Sequence, residues 1–311
     1  MTVQVTLPDG SIKKFDNDVT GFDIAKSIGS RLAKDAICLE IDNTFYDLST
    51  KFSSDSSIRI VTNSDPDALH ILRHSSAHIL AQAVINIYPD AKYGVGPSID
   101  NGFYYDFLFN SPLKETDLGA IENEMINIIK SSQKFEKSEI TKKQAKKMFK
   151  DQSFKIELIE SADSDEGVED GSVTTYTNDS FVDLCKGPHL PSTDYLKYFK
   201  LTKIAGAYWR GNEENPQLQR IYGTSWFTKK DLDEYLVQQE EAEKRDHRKL
   251  GNELNLFTTA DELGSGNFLW KPKGAILRDL IESYSKDAHL NNDYDLVNTP
   301  HIGKSILWET S

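Results

Sequence analysis

The stretch from Leu69 to Tyr88 constrains this chain most, because neither side of it can be left to water. On a helical wheel Leu69, Leu72, Ala77, Leu80, Ala83, Val84 and Ile87 form one apolar stripe. His74 and His78 fall roughly opposite, with His70 nearer the edge, yet Ile71, Ala81 and Ile85 share their side. A helix apolar on both faces must be covered on both, so the histidines are expected to line a cleft. The polar breaker Asn63-Ser64-Asp65-Pro66-Asp67 precedes it and marks a domain boundary. With 311 residues the chain has room for two or three domains. No apolar run reaches the roughly 18–20 residues that a membrane helix needs. Met1–Gly10 has neither the basic nor the apolar region of a secretory signal. Two cysteines, Cys38 and Cys185, cannot make a disulfide framework, so a reduced, cytoplasmic location is expected.

Upstream, Val3–Leu7 alternates at period two, Pro8-Asp9-Gly10 signals a turn, and Ile12–Phe15 resumes extended structure. Thr20 is placed to cap a helix through Phe22, Ile24, Ala25, Ile28 and Leu32. Short strands follow at Ile37–Ile41, Phe45–Leu48 around an Asp42-Asn43 turn, and Ile58–Val61. The order β-β-α-β-β-β over residues 1–62 resembles a β-grasp domain, in particular the TGS module of RNA-linked proteins. Downstream, helices are expected at about 116–132 and 140–150, and strands at Phe154–Leu158 and Ser180–Leu184. Residues 227–250 carry six bases against seven acids, as expected of one solvated connecting helix. Residues 251–311 offer a helix near Lys273–Ala288 and then Tyr294–Thr299, too little to close a core of their own, so the chain reads as truncated.

The net charge of −13 would disfavour a nucleic-acid partner, but charge is unevenly spread. Residues 134–155 hold eight lysines against three acids, and residues 160–170 hold six acids and no base. Lys142, Lys143, Lys146, Lys147 and Lys150 read first as a solvated helix face, with RNA docking as the alternative.

Two spacings carry chemistry, His74-x3-His78 on the helix and Cys185-x3-His189 after a strand. The i, i+4 spacing sets both imidazoles on one face, where they can share a metal ion, water or substrate. Three imidazoles and one thiolate also make an acceptable tetrahedral zinc set. His-x3-His pairs arise by chance as well, and His70 lies four residues before His74, so spacing alone leaves the register open.

Longer matches close that choice. His74-Ser75-Ser76-Ala77-His78-Ile79-Leu80-Ala81 resembles the HSxAHxLA signature of the editing domain shared by threonyl- and alanyl-tRNA synthetases, and Leu184-Cys185-Lys186-Gly187-Pro188-His189 resembles its partner motif. Residues 96–106, 206–211 and 218–224 resemble the threonyl branch, and the alanyl enzymes place the editing unit after the catalytic domain instead. The chain is thus similar to the amino-terminal part of bacterial-type threonyl-tRNA synthetases. The implied fold class is α+β and multidomain: a TGS domain at 1–62, an α/β editing domain at 63–226, a connecting helix at 227–250, and a truncated class II catalytic domain at 251–311. In that last part Gly274–Arg278 and Val297–Pro300 resemble motif 1, which in the family builds a homodimer interface.

The resemblance implies a hydrolase that removes serine wrongly attached to threonine tRNA. A synthetic site rejects serine, which lacks one methyl, by only roughly 10–200-fold. The catalytic set it implies is His74, His78, Cys185 and His189, with Lys155 stabilising the oxyanion or holding the ribose, Asp183 binding the substrate amino group, and Tyr105 in the pocket. Each of those last three also has a structural reading. No cofactor is implied for this portion, and a metal-free, water-holding cleft is expected, although His74, His78, Cys185 and His189 are the ligands if zinc binds. The parent family uses ATP, Mg2+ and one Zn2+ per subunit, with ligands expected beyond Ser311. The implied partner is the acceptor end of tRNA(Thr), with neither membrane nor DNA. The alternatives are a free-standing hydrolase acting in trans and a non-catalytic RNA-binding module.

Overall fold

Thr20 caps the first helix as its position predicts. Its hydroxyl accepts the Asp23 N–H while the Asp23 carboxylate accepts the Thr20 N–H, a reciprocal cap at the start of α1 (Gly21–Ile28). The helix is shorter than the apolar spacing suggests. Gly29 adopts an extended backbone and separates α1 from α2 (Ser30–Asp35). The computed structural model describes residues 2–309 except Asn17, Asp170, Asp261, Leu263 and Ser265, so the last acid of the 160–170 run and the chain end at Ser311 lie outside the described residues.

Strands β1 (Thr2–Thr6), β2 (Ile12–Asp16), β4 (Ala36–Ile41), β5 (Thr44–Asp47) and β7 (Ser56–Thr62) form one sheet in the order β2-β1-β7-β4-β5. β1 and β7 run parallel and the other neighbours antiparallel, the arrangement of a β-grasp. A short pair, β3 (Val19–Thr20) with β6 (Lys51–Phe52), lies beside it. Asp42 and Asn43 turn the β4–β5 hairpin with φ of +50° and +61°, the left-handed pair that a tight two-residue hairpin requires.

The doubly apolar helix is α3 (Ala68–Ile87), and Ile71 and Ala81 on the histidine side are as buried as Leu72 and Leu80 on the main stripe. Each fully buried leucine there contributes roughly 1.5–3 kcal/mol. α3 packs against α4 (Leu118–Lys130) and against the sheet that carries β9 (Ser98–Ile99), β10 (Gly102–Leu108) and β15 (Gln217–Trp226). That sheet runs β14 (Tyr198–Tyr208), β15, β10, β8 (Lys92–Tyr93), with β9 paired to β10. A third sheet joins β11 (Glu136–Thr141), β12 (Ser172–Asn178) and β13 (Phe181–Leu184). Thr141 caps α5 (Lys142–Met148), whose Lys143, Lys146 and Lys147 are exposed, in keeping with a solvated face.

Two expected elements differ. Phe154–Leu158 is not a strand but part of α6 (Ser153–Ser161). The alternation Phe154, Ile156, Leu158 fits either period over five residues, and burial follows the helix, with Phe154, Leu158 and Ile159 inside and Ile156 half-buried. The connecting helix is two helices, α7 (Lys229–Lys244) and α8 (His247–Glu253), because Asp246 adopts a non-helical backbone and caps α8 by accepting the Arg248 N–H.

The chain divides into two compact units, Met1–Glu234 and Tyr235–Ser311. In the second, α8 packs with β16 (Phe257–Thr258), which pairs β17 (Leu269–Trp270), and α9 (Pro272–Leu290) follows. Tyr294–Thr299 forms no regular element. On α9 Ile276, Leu280, Ile281 and Tyr284 are exposed.

Candidate active site

One helical turn on α3 sets the His74 and His78 rings 5.1 Å apart. The segment after β13 brings Cys185 and His189 to them over more than a hundred residues of chain. His74 Nε2 lies 2.9 Å from Cys185 Sγ, and His189 Nε2 lies 3.2 Å from the same sulfur. The Gly187 N–H donates to that sulfur at 3.2 Å. The His189 ring stacks on Phe135, with centroids 4.8 Å apart, and on His74 at 4.6 Å. Its Nδ1 is 3.0 Å from the Ser75 hydroxyl, which also accepts the Leu190 N–H at 2.9 Å. Gly187 sits at φ +77°, and a Cβ on it would stand 1.9 Å from the Tyr176 hydroxyl oxygen, so only glycine fits that turn.

Asp183, at the end of β13, is the second focus. Its Oδ1 lies 2.5 Å from Lys155 Nζ and accepts the Leu184 N–H at 2.8 Å. Its Oδ2 accepts the Tyr105 hydroxyl at 2.5 Å and lies 3.9 Å from His78 Nε2. All seven residues picked out by sequence therefore gather in one region. They do not share one surface.

A cavity of about 270 Å³ is lined by His74, His78, Asp183, Cys185, Gly96 and Glu166 among others. Lys155, Tyr105 and His189 stand behind that wall. Lys155 and Tyr105 are fully buried, and their polar ends are committed to Asp183. The pocket-facing places expected for them, an oxyanion contact for Lys155 and a substrate contact for Tyr105, are therefore not where the side chains stand. α6 turns the Lys155 side chain inward, which an exposed strand lysine would not do.

Burial decides the protonation states. It pushes His74 down to about 4, helped by His70, and carries His78 and His189 well below the usual imidazole range. All three imidazoles are neutral at pH 7, so each offers a lone pair. Burial also drives the Cys185 thiol well above its ordinary value, against the Gly187 N–H that opposes the shift. Asp183 is raised by burial, with Lys155 and Tyr105 pulling it back. Burial lifts Glu166 to about 7 despite the opposing Lys155.

The four candidate ligand atoms of His74, His78, Cys185 and His189 lie within 4.8 Å of one another, and their donor chemistry fits zinc. Sequence reasoning missed Ser75, Glu166 and Asp47. Ser75 falls inside the His74–His78 motif, and its neighbour's spacing gave no hint of a bond to residue 189. Glu166 was hidden in an acidic run. Asp47 belongs to the β-grasp unit, yet its carboxylate accepts the His189 N–H at 2.9 Å. No helix among the described residues is long and apolar enough to cross a membrane.

Comparison with known proteins agrees with this layout. Residues 3–62 match the TGS domain, and residues 173–222 match the family described as threonyl and alanyl tRNA synthetase second additional domain. The threonine-tRNA ligase of Citrifermentans bemidjiense is 47% identical over 311 residues, covering 99% of this chain and 48% of that protein. The one from Enterococcus faecalis is 46% identical over 312 residues, covering 100% of this chain and 48% of its own length. That of Lactococcus lactis is 46% identical over 299 residues, with 96% and 46% covered. The chain spans about half the length of the curated relatives it matches.

Proposed function

The chain belongs to the threonyl-tRNA synthetase family and carries an editing-type domain, and from that premise we propose that its cavity hydrolyses serine from mischarged tRNA(Thr). The observation that carries this reading is the convergence of His74, His78 and Cys185 on the wall of one cavity with Asp183 beside them. The reaction splits the ester between the seryl carbonyl carbon and the ribose oxygen. Water adds its oxygen to the carbon, its proton passes to an imidazole, and the ribose oxygen leaves with a proton.

A neutral imidazole is the group to accept that proton near pH 7. His78 suits the role, because its buried Nδ1 has no hydrogen-bond partner among the described residues while its Nε2 faces Asp183. Cys185 is a poor nucleophile at neutral pH, since burial keeps it a thiol. Its sulfur instead holds His74 and His189 in place. Asp183, a carboxylate on the cavity wall, is the group we assign to the substrate ammonium, and Lys155 and Tyr105 fix its orientation. Were zinc bound, His74, His78, Cys185 and His189 are the residues that would hold it, and it would acidify a water only with one of the four standing aside. With all four coordinated the ion would be closed to substrate.

Deacylation of seryl-tRNA(Thr) and threonyl-tRNA(Thr) by the purified chain, with and without His74→Ala, tests the proposal. Serine ester should be cleaved at least about tenfold faster than threonine ester, the lower end of what one methyl group allows. His74→Ala should abolish the difference. Equal wild-type rates on the two esters would refute the reading. Attachment of threonine to tRNA with ATP, Mg2+ and zinc, homodimer formation, and cytoplasmic residence are proposed for the whole protein. So is a class II catalytic domain beginning in residues 251–311.

A further inference from the structure

Asp47 is a buried carboxylate whose oxygens both look away from its own domain. It ends β5 of the β-grasp unit with 7% of its surface exposed. Oδ1 accepts the His189 N–H at 2.9 Å, and Oδ2 accepts the Tyr176 hydroxyl at 2.6 Å. No lysine or arginine forms an ion pair with it among the described residues. Burial raises its pKa, and those two hydrogen bonds oppose the rise. A carboxylate in such a place costs free energy that only its partners return.

Both partners are next to the candidate chemistry. The Tyr176 ring lies 4.4 Å from the His189 imidazole, nearly perpendicular to it. Tyr176 also sits opposite Asp183 in the β12–β13 register, and its hydroxyl fills the space above Gly187. His189 is thereby held at its backbone by Asp47, at Nδ1 by Ser75, and at Nε2 by Cys185. Two of those contacts come from the editing domain. The third comes from the β-grasp.

We propose that Asp47 is a positioning residue of the hydrolytic site: by fixing the backbone at His189 it holds that imidazole against Cys185 and His74, so the β-grasp unit completes the site. The inference rests on the hydrolytic reading above for its kinetic consequence, and on geometry alone for its structural one. Loss of the carboxylate frees the Cys185–Leu190 segment to shift, and a displacement of about 1 Å at such a group can cost as much as 100-fold in rate.

The test uses the full chain with 15N-labelled histidine. Asp47→Ala should shift the His189 imidazole signals and lower kcat for seryl-tRNA(Thr) about 10- to 100-fold, leaving KM within about twofold. Asp47→Asn keeps an acceptor for the His189 N–H, so its signals and kcat should stay within about threefold of wild type. An Asp47→Ala protein that melts earlier yet keeps wild-type His189 signals and kcat would show Asp47 to be a structural contact only. Should Asp47→Ala fail to fold, Asp47→Asn decides, because a folded Asn variant with displaced His189 signals overturns the assignment. A wild type without hydrolysis would sink the hydrolytic reading, and the His189 signals would still judge the positioning.

Discussion

Replacing Lys155 by methionine removes one half of an ion pair that has almost no access to water. Lys155 and Asp183 side chains are 0% and 2% exposed, with Nζ and Oδ1 2.5 Å apart. At an effective dielectric constant of ~20, Coulomb's law gives about 6–7 kcal/mol of gross attraction at that separation. The ammonium no longer has to be desolvated in the variant, which offsets part of the loss. The hydrogen bonds from Tyr105 and Leu184 remain to soften the rest. Breaking a buried pair and leaving its partner charged costs roughly 3–5 kcal/mol, and that is the expected loss at pH 8. The loss should depend on pH. Asp183 is raised by burial even with Lys155 present, and without the ammonium it rises further. A carboxyl whose folded value lies above its unfolded value binds more protons folded than unfolded, so stability falls as pH rises through that range. The extra deficit of Lys155→Met therefore opens between the value of Asp183 beside Lys155 and its higher value alone, and narrows as pH drops toward 5. Urea unfolding of both proteins at pH 5 and pH 8, compared at equal m-values, reads this directly. A difference below about 1 kcal/mol that stays flat between the two pH values would refute the view that this pair is buried and charged.

Two further outcomes follow from the same electrostatics. Burial lifts Glu166 to about 7, so its ionisation in the folded chain is unfavourable and the penalty grows as pH rises from about 4.5 and is complete above about 7. Glu166→Gln should be more stable than wild type at pH 8 by at most ~3 kcal/mol and at pH 5 by less than about 1 kcal/mol, as read by thermal melts at the two values. Equal gains at both would show that the side chain is solvated. Cys38, pushed up to about 12 by burial, and Cys185, pushed well above its ordinary value, should both resist iodoacetamide at pH 8 in the native protein and react once urea is added. Rapid native labelling of Cys185, followed by mass spectrometry, would restore it as a candidate thiolate nucleophile.

Short-range order was legible in the residues themselves. Thr20 with Asp23, the Asp42-Asn43 turn and the two apolar faces of α3 each act over a few residues, where backbone geometry and periodicity suffice. The His74-x3-His78 and Cys185-x3-His189 spacings belong to the same class, and the two halves of the site were recognisable before their meeting was seen. Five residues of alternating Phe154–Leu158 were too few to separate strand from helix, and packing made the choice.

What only the tertiary structure decided is which polar groups face each other across long stretches of chain. Lys155 and Tyr105 were sought in the pocket, and the fold commits them to Asp183 because a buried carboxylate must find donors and both stand within reach. Asp47 and Ser75 bond to a histidine 142 and 114 residues away, and no local pattern encodes such a pairing. The protonation states belong to this level as well. A histidine is ordinary until the protein closes over it, and the neutral imidazoles and the retained thiol exist because α3, β13 and the segment after it exclude water together.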